Sequence, residues 1–217
     1  KERKFWQNFP AGVPVPVPGV WELVRPNYDG VGWYRTTFAA RTAWKTGCVR
    51  LRFGAVNYFC EVWLNRKRIG SHEGGYTPFE FDITRSLRDG ENELVVRVIN
   101  PCRRKVIEGF RSGAPLNASD CPTWKAGWYW NFGGIWQDVS LIITPSAFIE
   151  DIFVEPLPDR ATALVHVTIS SRTPAEGSLH VRVAPWKGND DTGGEAHASV
   201  RARSGSQTVK IPVSIRN

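Results

Sequence analysis

The sequence predicts an all-β chain, on three observations. Apolar and polar residues alternate with a period of two in Val49-Arg50-Leu51-Arg52-Phe53 and in Phe79-Glu80-Phe81-Asp82-Ile83. Nowhere do apolar residues recur at i, i+3, i+4 and i+7 through three turns, as an amphipathic helix requires. Glycine, proline and asparagine cluster between the alternating runs, where strands must reverse.

Taken in order, Pro14, Pro16, Pro18 and Gly19 favour extended backbone draped on the surface. The run Val49–Phe53 is a strand with one face inward. Asn65-Arg66-Lys67 joins Val62-Trp63-Leu64 to Arg68-Ile69 as a tight hairpin. Gly74-Gly75 and Asp89-Gly90 punctuate the next stretch, and Asp82 to Asp89 leaves room for one helical turn. Leu94–Ile99 and Val139–Ile143 are near-continuous apolar runs, as expected of strands buried on both faces. Between them, residues 101–127 form a long irregular stretch with Gly109, Gly113, Pro115, Pro122 and Gly127, and loops of that length are often functional. Later strands are expected at Leu164–Ile169, Leu179–Val183 and Val209–Ile215, with Pro212 marking an edge strand or a bulge. Nine of the ten tryptophans precede residue 147, which places a domain boundary there: 1–147 and 148–217.

Composition bounds the function classes. The chain has 217 residues, 41% apolar and 23% charged, values that exclude disorder. No run of 18 apolar residues occurs, so no spanning helix is expected. With 28 basic and 21 acidic residues the net charge is 28 − 21 = +7, all of it within residues 1–110. The basic clusters Arg66-Lys67-Arg68 and Arg103-Arg104-Lys105 read as a solvated hairpin tip and strand exit, with attraction to an acidic ligand as the alternative, and the basic–aromatic interleaving of a nucleic-acid module is absent. Cysteines 48, 60, 102 and 121 form no C-x-x-C pair, so a zinc or redox motif is not expected. Cys48 and Cys60 read as buried thiols, whereas Cys102 and Cys121 flank the long loop and could cross-link it in an oxidising compartment. The chain contains no Met, so Lys1 reads as an interior point of a longer protein. No apolar segment follows its charged start, so no signal peptide is visible and localisation stays open.

A family comes into view between residues 31 and 154. The segments Leu51-Arg52-Phe53-Gly54-Ala55-Val56-Asn57-Tyr58, Val62-Trp63-Leu64-Asn65 and Glu73-Gly74-Gly75-Tyr76-Thr77-Pro78-Phe79 follow one another in this order. With Gly32-Trp33-Tyr34-Arg35, Gly90-Glu91-Asn92-Glu93-Leu94 and Gly133-Gly134-Ile135-Trp136-Gln137-Asp138-Val139, they resemble the N-terminal sugar-binding domain of glycoside hydrolase family 2. Asp151-Ile152-Phe153-Val154 is similar to the opening strand of the family's immunoglobulin-like second domain. The resemblance implies a jelly-roll (galactose-binding-like) sandwich, then an immunoglobulin-like sandwich, then a TIM barrel that hydrolyses a β-glycosidic bond with retention. An immunoglobulin-like domain needs about seven strands in ~100 residues. Residues 148–217 offer five or six, so that domain is expected to be incomplete at its C-terminus.

Retaining glycosidases need two carboxylates about 5–5.5 Å apart. The family's pair belongs to the barrel, its acid/base Glu preceded by Asn. The only Asn-Glu here, Asn92-Glu93, enters a strand after Gly90 and reads as structural. Glu73, Glu80 and Asp82 read as surface or capping residues. His72, His166, His180 and His197 show no metal-ligand spacing and no nucleophile partner, so neither metal nor cofactor is implied. This chain alone is therefore expected to be inactive.

Sugar contact is the remaining chemistry. A pyranose has an apolar CH face and a rim of hydroxyls, which suits an aromatic surface flanked by amide or ammonium donors. Trp124, Lys125, Trp128, Tyr129 and Asn131 are the substrate-binding candidates, while Trp136, on a strand, reads as core. Trp128, Tyr129 and Asn131 are read evenly as site or as scaffold. In β-galactosidases and β-glucuronidases the resemblance implies an acidic residue on this approach that reaches the barrel's active site. Aligning Gly134-Ile135-Trp136 puts that position at or near Trp128, and the nearest upstream acid is Asp120, so the sugar is left open. The implied partners are a β-glycoside and the protein's own barrel, with neither nucleic acid nor membrane, and a homo-oligomer is compatible with the sequence. Two other readings stand beside this one: a stand-alone carbohydrate-binding module, and a structural protein-interaction domain.

Overall fold

The computed structural model describes residues 4–26, 28, 30–100, 132–158, 161–185 and 193–215. The chain divides into two compact units, formed by the described residues of Lys1–Lys45 with Val49–Ile143, and of Thr46–Cys48 with Thr144–Asn217. All named strand pairs are antiparallel.

In the first unit β1 (Gly30–Ala40), β6 (Gly90–Asn100), β3 (Phe59–Leu64) and β4 (Lys67–Glu73) form one sheet in the order β1-β6-β3-β4. Strands β5 (Phe79–Asp82), β2 (Cys48–Phe53) and β7 (Val139–Thr144) form another, ordered β5-β2-β7. The alternation found in the sequence does its expected work. Val49, Leu51 and Phe53 of β2 meet Cys60, Val62 and Leu64 of β3 and Leu94, Val96 and Val98 of β6 in one buried cluster. Phe79 and Phe81 pack against that cluster and Ile83 belongs to it. On the opposite face of β5, Glu80 pairs with Arg50 at 2.6 Å, and Asp82 accepts hydrogen bonds from the Thr84 backbone and hydroxyl.

The β3–β4 hairpin closes on Asn65 and Arg66 at φ 51° and 68°, with Leu64 paired to Lys67. Positive φ at both central residues defines a type I′ turn, whose twist matches that of the flanking strands. Asn65 also donates to the Asn92 side chain at 2.8 Å and accepts from the Glu93 backbone at 3.1 Å. Asn92 is fully buried and bonds back to Arg88 and Gly90, so Asn92-Glu93 is a structural knot.

Three further features define this unit. Val139–Ile143 lies on an edge strand rather than a two-sided one: Ser140 is exposed and Ile143 is 43% exposed. The segment after β5 makes the single turn expected there, Ser86 and Leu87 donating to the Ile83 carbonyl at 2.8 and 3.1 Å, the second an α-type bond. And three tryptophans cover the outer face of the first sheet. Trp6 stacks on Trp63 at 5.1 Å and Trp33 on Trp63 at 5.5 Å, over the buried Arg97, which pairs with Glu61 at 2.8 Å.

In the second unit β12 (Gly205–Ser214), β9 (Thr162–Ser171) and β8 (Ala147–Pro156) form one sheet, with Pro212 on the edge strand β12. Strands β10 (Ala175–Val183) and β11 (Gly194–Ala202) form a two-stranded ribbon. Val165, Val167 and Ile169 of β9 pack with Val200 and Ala202 of β11 and with Ile211 and Val213 of β12. The fold class is the expected one, an all-β chain with a jelly-roll sandwich followed by an immunoglobulin-like one. Cys48 and Cys60 are both buried, and burial pushes the Cys60 thiol up to about 12. Cys102 and Cys121 lie outside the described residues. No described helix is long and apolar enough to cross a membrane.

Candidate functional site

Trp124, Lys125, Trp128, Tyr129 and Asn131 all lie outside the described residues. The site is therefore built from where the chain re-enters the described fold, at Phe132. Trp21, 8% exposed, anchors this return: its backbone N–H donates to the Gly133 carbonyl at 2.9 Å and its indole N–H to Tyr28 at 3.0 Å. A Cβ at Gly133 would sit 2.2 Å from two atoms of that indole, so only glycine fits. Gly134 sits at φ 127°, a conformation side chains resist, and exchanges backbone bonds of 3.0 and 3.1 Å with Asn57. Glu22 accepts from the Gly133 N–H at 2.9 Å, and the Asn57 side-chain amide donates to the Phe132 carbonyl.

Residues 132–136 are thus fixed at both ends, and they present rings. Phe132 and Trp136 meet edge to face at 5.5 Å, and Tyr76 meets Trp136 at 5.6 Å and Phe132 at 6.2 Å. The Trp136 indole N–H donates to the Gly75 carbonyl at 2.7 Å, tying this triad to the Gly74-Gly75 turn. Tyr76 is 47% exposed. Trp136, expected in the core, is half-buried, because its ring closes against Tyr76 and Phe132 instead of entering the sandwich interior. Tyr76 is the residue that sequence reasoning passed over. A large exposed aromatic directly after a Gly-Gly turn was its one signal.

Around the triad, Tyr58 donates to Glu73 at 2.9 Å, and His72 shares a 3.3 Å hydrogen bond with Thr77 while stacking on Phe79 at 4.0 Å. Burial drives the Tyr34 hydroxyl up to about 12, against the opposing effect of a backbone hydrogen bond at Ile135. Desolvation lowers the His72 pKa below 6.5, outweighing the Gly74 hydrogen bond and the nearby Glu73. The linkage follows: between its folded and unfolded values the unfolded chain binds more protons, so stability rises with pH there. An NMR titration of the His72 ring is expected to give a midpoint below 6.5, with stability lost as pH falls through that window. A midpoint at or above 6.5 would contradict this placement.

Antiparallel sheets packed on one buried cluster define a β-sandwich protein, and the aromatic triad sits beside its Gly74-Gly75 turn. Residues 5–145 match the family model described as "Glycosyl hydrolases family 2, sugar binding domain", and the chain belongs to that family. It is 28% identical over 212 residues to a beta-galactosidase of Alteromonas mediterranea, covering 88% of this chain and 18% of the relative. It is 28% identical to a beta-glucuronidase of Paenibacillus borealis over 94% of this chain and 35% of the relative. Among solved structures, a glycosyl hydrolase family 2 member from Bacteroides cellulosilyticus is 26% identical with a TM-score of 0.67, over 93% of this chain and 27% of that one. The chain thus spans well under two thirds of these relatives.

Proposed function

We propose that this chain is the sugar-facing, supporting part of a family 2 glycoside hydrolase. Residues 1–147 serve as the sugar-binding domain and 148–217 as an immunoglobulin-like support. The parent hydrolyses a β-glycosidic bond with retention, through two glutamates of a TIM barrel outside these residues. The length of the relatives and their names, beta-galactosidase and beta-glucuronidase, support that reading.

The observation that carries the sugar contact is the fixed aromatic triad of Phe132, Trp136 and Tyr76. Asn131 is bonded to Phe132, and Trp128 lies only four residues upstream of it. Trp124, Lys125, Trp128, Tyr129 and Asn131 wall one side of the sugar pocket, the rings against the CH face and the amide and ammonium against hydroxyls. Ile149, Ile152 and Val154 of β8 stand opposite Ile169, Val167 and Val165 of β9 and are exposed, and that apolar surface favours a supporting role for the second unit.

Titrating the chain with methyl β-galactoside, β-glucuronide and β-mannoside, while following the Trp136 indole N–H by NMR, tests this. Weak saturable shifts are expected for at least one sugar, reduced in Trp128→Ala and in Tyr76→Ala. An indole signal that no sugar moves would overturn the contact. Tight binding to an immobilised polysaccharide would instead favour a stand-alone carbohydrate-binding module.

A further inference from the structure

The β10–β11 ribbon carries a chemistry that sugar contact does not use. Its inner face is apolar: Leu179, Val181, Ala196, Ala198 and Val200 pack into the core of the second unit. Its outer face is polar, and the register sets His180 directly opposite His197, with Arg182 opposite Glu195. Directly paired residues on one face of an antiparallel ribbon have Cβ atoms about 4.5–5.5 Å apart, and diagonal neighbours remain within reach of long side chains. The two imidazoles accordingly lie face to face, 4.2 Å between ring centres and 2° from parallel. Glu195 reaches diagonally to His180, bringing Oε2 to 3.4 Å from Nε2. The ligand atoms of His180, Glu195 and His197 all fall within 4.8 Å of one another, and no other trio of His, Cys, Asp or Glu among the described residues does so.

We propose that His180, His197 and Glu195 form a binding site for a divalent transition cation of the Zn²⁺, Ni²⁺ and Cu²⁺ class. The donor set selects that class: imidazole nitrogen suits these ions, whereas Mg²⁺ and Ca²⁺ demand oxygen ligands. The spacing suits it too. Zinc–ligand bonds of about 2.0–2.2 Å at tetrahedral angles put neighbouring donors about 3.3–3.5 Å apart. The His180–Glu195 separation of 3.4 Å already meets this. The stacked imidazoles hold their in-plane nitrogen lone pairs parallel, so binding turns both rings toward the ion, a rotation open to them because all three residues are exposed. Arg182 lies 3.6 Å from the other carboxylate oxygen of Glu195, leaving Oε2 toward His180, and at 71% side-chain exposure it can swing away from an incoming cation. Three protein ligands leave one or more positions for water or for a group from another molecule. Bound there, the ion ties β10 to β11, which form a two-stranded sheet among the described residues.

Calorimetric titration of the whole chain with Ni²⁺ at pH 7.5, in Mg²⁺-containing buffer, tests the site. One ion per chain is expected. His180→Ala and His197→Ala should each weaken binding at least tenfold, Glu195→Gln less, and His166→Ala not at all. On the unaltered chain, Ni²⁺ should broaden the ring resonances of His180 and His197 before those of His72 and His166, and should raise the melting temperature. These substitutions lie on an exposed face, so a circular dichroism spectrum matching the parent's is expected of each. Binding that survives in the His180→Ala/His197→Ala double variant, or broadening centred on another histidine, would overturn the proposal. Absence of any Ni²⁺ binding would overturn it equally.

Discussion

Trp21→Ala is expected to cost the first sandwich about 3–5 kcal/mol, the scale for truncating a large buried aromatic. Two effects combine. The indole belongs to the main buried cluster, and its removal opens a cavity between β1 and the return segment. Both neighbours there are glycines: a Cβ at Gly32 or at Gly133 would lie 2.2 Å from the indole, so neither has a side chain to fill the space. The second effect is local. The indole is what the Gly133 backbone packs on, so residues 132–136 lose their floor and the aromatic triad loosens. Phe53→Ala, from a fully buried position in β2, provides the comparison, because it costs a similar amount and is not the ring that Gly133 packs on. Urea unfolding should show both losses. Hydrogen exchange at the Gly134 amide, bonded to Asn57 at 3.1 Å, should quicken in Trp21→Ala beyond what the global loss explains, and in Phe53→Ala only in step with it.

The second large effect concerns the charge beneath the tryptophan stack. Arg97 is 2% exposed and pairs with Glu61 at 2.8 Å, while Arg68 reaches the other carboxylate oxygen at 3.3 Å. Burying a guanidinium is tolerable only with a counter-charge in place. Glu61→Ala removes that carboxylate and leaves Arg97 under Trp33, whose ring lies 6.0 Å away. The expected loss is about 3 kcal/mol, at the lower end for a broken buried pair because Glu61 keeps some contact with water. Replacing both partners, Glu61→Leu with Arg97→Met, should recover most of it, since an apolar pair of similar volume removes the desolvation cost of both charges. A double-mutant cycle measured by urea unfolding checks this. If the double variant is as unstable as Glu61→Ala, the pair is not what holds this face.

How much of this was legible in the sequence depends on how local the cause is. The alternating residues of β2 and β5 announced their strands because the inward positions must be apolar. Asn65 announced its hairpin because few residues accept positive φ. The run Val139–Ile143 misled because an apolar run looks alike on a central strand and on an edge, and strand order is set by distant pairing. The outer stack of Trp6, Trp33 and Trp63 was hidden for the same reason, as it joins the N-terminal segment, β1 and β3. His180 and His197 gave no motif at all: their meeting is a product of the β10–β11 register alone. At the candidate sugar site the Gly133-Gly134 turn was visible, and the physical reason for it, Trp21 packed beneath, came only with the fold. The sugar candidates upstream of Phe132 rest on their chemistry and on their covalent nearness to the triad.

Glu73, Glu80 and Asp82, the carboxylates that stand close in sequence, are engaged by Tyr58, Arg50 and Thr84. We propose that this chain contacts sugar and supports a catalytic barrel without performing the chemistry itself. Incubating purified residues 1–217 with a panel of nitrophenyl β-glycosides tests it most directly. No release of nitrophenol above the buffer rate is expected at any protein concentration, whereas release that scales with the amount of this chain would contradict the account.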